Sequence, residues 1–124
     1  MAWIQYYLEN WREAQVIVQG LYEENPDYLP NLGMLGTIAA RLGNTGEARK
    51  ISEELKNIER PYLHGENTYW RSTIAALLGE KEKAIDLIRY SLSEGRTHYI
   101  LYWNIDYEGL ENYPPFVELK RPKG

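Results

Sequence analysis

The stretch at residues 36–48, GTIAARLGNTGEA, returns at residues 72–84 as STIAALLGEKEKA, identical at seven of thirteen positions and displaced by 36. A fixed period in this range marks stacked helical hairpins, because a helix, a tight turn and a second helix consume about that much chain. A fainter copy, AWIQYYLENWREA at residues 2–14, lies 34 residues before the first and keeps Ile4, Leu8, Asn10, Glu13 and Ala14 in register. Within a copy, Leu35, Ile38, Ala39 and Leu42, then Ala48, Ile51 and Leu55, recur every three or four positions, which is a helical stripe. Gly43 and Gly79 suit the left-handed conformation that ends a helix, and Asn44 with Glu47, like Asn10 with Glu13, reads as the N-cap and N3 pair that starts the next. Two helices joined this tightly run antiparallel, and the small Ala14, Ala48 and Ala84 let them approach closely; a large side chain there is expected to overpack by about 1 to 3 kcal/mol.

These signals predict an all-α chain with helices over 2–8, 11–24, 28–42, 45–58, 67–78 and 81–94. Pro26 breaks the helix before it and Asp27 is placed to cap the next, while Pro30 falls in a first turn, where proline is tolerated. Residues 59–67, with Pro61 and Gly65, hold the two extra residues of the second period, and Gly95 closes the last helix. The expected organisation is a stack of helical hairpins over 1–96, about two and a half to three of them, and a capping segment over 97–124, because a stack ends in an open apolar face that must be covered. THYILYW at residues 97–103 has no single period, so a short strand, an extended wrap and a helical turn all remain open; an extended or loosely helical wrap is preferred, since a lone strand has no partner for its hydrogen bonds. Leu110, Phe116 and Leu119 are expected to bury about 1.5 to 3 kcal/mol of side chain each against the helix at 81–94.

Bulk properties narrow the function. A length of 124 residues, 44% of them hydrophobic and 26% charged, suits one globular domain. Fourteen basic against eighteen acidic residues give a net charge of −4 with the positive residues scattered, which disfavours nucleic acid and anionic membranes as partners. Cysteine is absent, so disulfides, thiolate nucleophiles and cysteine metal sites are excluded. No apolar run approaches the roughly 20 residues that span a bilayer, and the N-terminus lacks signal-peptide character; a soluble, cytoplasmic chain is expected. The nucleophile-elbow, phosphate-loop and dinucleotide signatures do not occur, His64 and His98 are the only histidines, and the paired carboxylates at 23–24 and 53–54 read as solvated helix surface. The expectation is therefore no catalytic residue, no cofactor and no metal.

Leu35, Gly36, Gly43 and Ala48, together with the proline of NPD twelve residues after Ala14, resemble the pattern of the tetratricopeptide repeat (TPR) family. The pattern departs from that family at Ala39 and Thr45, where it has aromatic residues, at Ser72, where it has glycine, and at Pro61, which comes one place late. The tail is similar to the C-terminal end of TPR arrays in large bacterial signalling proteins, serine/threonine kinases and winged-helix regulators among them; Asp106, Leu110, Pro114, Pro115, Phe116 and Leu119 carry that likeness. The resemblance implies a TPR-like α-α superhelix that acts as a protein-binding scaffold, with no catalytic residues. In such a curved stack the first helix of each hairpin lines an inner groove, and by register this selects Trp3 and Tyr7, Thr37 and Arg41, and Tyr69 and Thr73 as protein-binding residues. Rings around an arginine match the composition of interaction hot spots. The lysine and asparagine with which some TPR grooves clamp a terminal carboxylate are not at the matching positions. The first hairpin begins almost at its midpoint, which suggests either a piece of a longer array or two copies meeting there. The expected partner is a peptide or protein in the inner groove; the alternative is a homodimer formed through the aromatic N-terminal hairpin without a peptide ligand.

Overall fold

In the computed structural model, residues 9–60, 63–96 and 100–121 are described. The expected helix at 2–8, with Trp3 and Tyr7, and the first three residues of THYILYW lie outside them. The described residues form seven α-helices and one 3-10 segment, with no strand among them: α1 Trp11–Glu24, α2 Leu29–Arg41, α3 Thr45–Lys56, α4 Glu66–Leu77, α5 Lys81–Ser93, α6 Ile100–Trp103, a 3-10 segment Ile105–Leu110 and α7 Pro114–Lys120. The five long helices fall within two residues of the expected boundaries at every end. Among the described residues no helix is long and apolar enough to cross a membrane.

The punctuation explains the agreement. Gly43 and Gly79 take φ of 79° and 80°, the left-handed region in which a Cβ is strained, and turn α2 into α3 and α4 into α5. Asn44 caps α3 by accepting from the Glu47 amide, and Pro30 sits in the first turn of α2. Two caps differ from expectation. Asn10 occupies the N-cap of α1 without accepting a capping hydrogen bond, and Tyr28, one place after Asp27, is the N-cap of α2. In both cases the backbone closes the first turn without the predicted side chain.

α2 pairs with α3 and α4 with α5, each across a three-residue turn, so each pair is antiparallel. α2 also packs on α1 and on α4, and residues 32–39 along it are all buried, as expected of a helix with neighbours on several sides. Ala14, Ala48 and Ala84 are fully buried where small residues were expected at the crossings. Repeat-equivalent residues meet: Thr37 and Thr73, 36 apart, bring their hydroxyls to 3.1 Å. At Gly33 the ring of Trp70 lies directly on the backbone, so an added methyl group would fall inside the indole's van der Waals envelope.

The capping segment departs from expectation in its docking. Leu110, Phe116 and Leu119 are buried, but the 3-10 segment packs on α4 and hardly on α5. The reason is polar: Asp106 and Tyr107 find their partners on α2 and α4.

Two glycines test this packing in opposite directions. Gly33→Ala is expected to destabilise by about 1 to 3 kcal/mol, since a rigid ring must move. Gly20→Ala, on an open face of α1 with nothing near its Cβ, is expected to stabilise by up to about 1 kcal/mol. Urea unfolding midpoints of the two variants check both signs.

Candidate functional site

Four of the residues expected to line an inner groove lie on α2 and α4. Thr37, Thr73 and Tyr69 are buried, which corrects their placement as groove-facing residues. The two threonines lie in the contact between α2 and α4, where Thr37 Oγ1 donates to the Gly33 carbonyl at 2.9 Å and Thr73 Oγ1 to the Trp70 carbonyl at 2.8 Å. Hydroxyls satisfied in this way are buried at little cost, so a polar residue beside the apolar stripe need not face water. Trp3 and Tyr7 are among the residues not described.

Arg41 ends α2 and remains partly exposed. Its guanidinium lies over the Trp11 ring, 4.7 Å from the centroid, and its Nη2 donates to Asp106 Oδ1 at 2.7 Å. Side-chain exposures of 19% and 8% make this pair the most enclosed ion pair among the described residues. Asp106 is presented by a local turn: Asn104 caps the 3-10 segment by accepting from the Asp106 amide at 2.8 Å, while its Nδ2 donates to the Tyr69 hydroxyl. The Arg96 guanidinium stacks 4.9 Å over the Tyr69 ring.

One residue further on, Tyr107 is fully buried and its hydroxyl lies 2.6 Å from Ser72 Oγ. Ser72 gives its only proton to the Tyr69 carbonyl, so Tyr107 is the donor in that pair. Burial pushes the Tyr107 phenol well above its ordinary value, with the neighbouring Tyr69 and Asp106 adding to the shift, and it stays neutral well above pH 10. The Tyr107 ring meets Phe116 edge to face at 5.8 Å between centroids.

Residues 104–107 therefore lie against Arg41 and Tyr69, two of the residues expected to hold a peptide partner. Arg41 and Tyr69, selected from the sequence, come together beneath this strap; Thr37 and Thr73 lie deeper, between helices. Ser72, Trp11, Asn104 and Tyr107 were not singled out. Ser72 was read only as a departure from a glycine pattern, and neither period nor spacing ties position 107 to position 72. Asp106 was marked only through the likeness of the tail. The arrangement consists of hydrogen bonds and one charge pair within the chain, and among the described residues no three His, Asp or Glu side chains gather as a metal would require.

Asp106→Ala is expected to cost about 1 to 3 kcal/mol by leaving Arg41 half-desolvated. Combined with Arg41→Met it should cost less than the two single changes added together, as a double-mutant cycle in urea would read. Tyr107 gives the stability a pH dependence. In the unfolded chain its phenol ionises near pH 10 and in the folded chain well above that, so stability present below pH 10 is lost as the pH rises. Thermal midpoints from pH 9 to 12 should fall, and Tyr107→Phe should flatten that decline while costing about 1 kcal/mol at neutral pH.

Comparison of the chain with models of protein families, with curated proteins and with solved structures finds no match in any of the three.

Proposed function

We propose that this chain is a non-enzymatic protein-interaction module: a short TPR-like stack of helical hairpins that holds a peptide or protein partner. The observation that supports this reading is the capture of residues 104–107 by side chains of α2 and α4. Arg41 takes an acidic residue, Tyr69 an asparagine and Ser72 a tyrosine, all from one short segment. Those contacts use the means by which helical-repeat surfaces hold polypeptides, namely a charge pair anchored beside aromatic rings. Because the chain's own segment fills that stretch, a partner takes surface that remains open. Selection of random displayed peptides on the full-length chain tests the proposal. Convergence on one motif with a Kd tighter than about 100 μM supports a module, and failure of independent selections to converge counts against it.

A second reading is a structural one, in which residues 97–124 cap the stack and two copies associate without a peptide ligand. It draws on the complete burial of Tyr107, Leu110 and Phe116, and on Val16 and Leu21, which stay exposed on α1. Light scattering on a dilution series separates the two. A dimer that persists to low micromolar concentration and is weakened by Val16→Asp supports association, whereas a monomer at all concentrations removes it.

A further inference from the structure

α3 and α5 both pack against α4 and scarcely touch each other, and together with residues 58–60 and 63–65 of the connection between α3 and α4 they border a furrow with α4 as its floor. Its larger part encloses about 1010 Å³ and its smaller part about 210 Å³. Arg71 lines both, so it stands where one passes into the other. Thr68, Arg71 and Ala75 of α4 and its C-cap Leu78 line the floor at intervals of three and four residues, a face running about 15 Å. That length accommodates roughly four to five residues of extended peptide.

The charges in the furrow are unevenly satisfied. Glu80 pairs with Arg49 at 3.4 Å, Glu53 with Lys56 at 3.9 Å and Asp86 with Arg89 at 3.9 Å. Arg71 has no carboxylate partner among the described residues; its Nε donates only to Ser52 Oγ, at 3.4 Å. Partial burial draws its pKa below the ordinary arginine value, with Glu53 opposing the shift, yet a guanidinium remains charged at neutral pH. A charge held this way pairs more strongly with an incoming anion than one in open water. Thr68, one turn away and buried, lines the larger part beside it. Beside them lie Ile58, Leu63 and Leu87, which supply an apolar wall. Glu59 and Glu94 also border the larger part, beside Lys56 and Arg60, so its lining is close to charge balance and a single carboxylate with apolar neighbours suits it better than a run of negative charge.

We propose that the α3–α5 furrow docks a short segment of a partner protein, with one Glu or Asp carboxylate on the Arg71 guanidinium and Thr68 hydroxyl and an adjoining apolar side chain on Ile58, Leu63 and Leu87. This rests on the reading of the chain as an interaction module, and it names the surface and the chemistry of the partner. The test is an NMR titration of the isotope-labelled full chain with the acetylated, amidated peptide Gly-Leu-Glu-Leu-Gly, its Gln-for-Glu counterpart and free glutarate. The Glu peptide should shift the resonances of Thr68, Arg71 and Leu87 saturably. Binding should weaken about tenfold with the Gln peptide, and by a similar factor with Arg71→Gln. If that variant does not fold, the two peptides on the unaltered chain still decide. Absence of furrow shifts at millimolar peptide, or equal binding of the Gln peptide, overturns the proposal. Glutarate binding as tightly as the peptide overturns it in favour of a small carboxylate ligand. Shifts confined to α2 and the strap also overturn it, while leaving the module reading intact.

Discussion

The closeness of α2 to α4 is the constraint on which the rest of the stack depends. Gly33 admits the Trp70 ring onto the α2 backbone, and Gly36 does the same for Ile74 and Ile51. With α2 packed against α1, α3 and α4, a displacement on any side is felt on the others, because protein interiors are filled nearly as densely as crystals of small molecules. The same closeness brings Thr37 to Thr73 and sets the spacing at which Arg41 and Ser72 can be bridged by one short segment.

The strap shows how a polar surface becomes interior. Arg41, Tyr69, Ser72 and Tyr107 would each be costly to enclose alone, and together they satisfy one another. Burial of Tyr107, Leu110 and Phe116 supplies the driving force, while the Arg41–Asp106 pair determines where the segment lies. Electrostatics here acts mainly on register: a buried pair contributes little net stability over a well-packed apolar one, but it penalises every placement that leaves Arg41 without its carboxylate. Arg71, on a neighbouring face of α4, is left without a carboxylate partner among the described residues.

Much of the fold was legible in the sequence because its signals are local. Glycine at 43 and 79, the spacing of Ile38, Ala39 and Leu42, and alanine at 48 and 84 each act within a turn or two of helix, and together they gave five helices and their pairing into hairpins. The candidate site was legible only in part. Arg41 and Tyr69 meet Asp106 and Asn104 of the same chain, and Thr37 and Thr73 were read as groove-facing because register alone cannot tell a helix with two neighbours from one with three. Leu110 was placed against α5 for a related reason, whereas the 3-10 segment that carries it packs on α4, since apolar spacing shows that a residue is buried and not against what.

What the sequence by itself determined, then, is an all-α chain of helical hairpins and the positions of their turns, because backbone conformation and amphipathic period are written at short range. Only the tertiary structure decided which faces stay open. Arg41 and Asp106 are separated by 65 positions, and Ser72 and Tyr107 by 35. Whether such residues meet depends on the path of the whole chain between them, which no local pattern encodes.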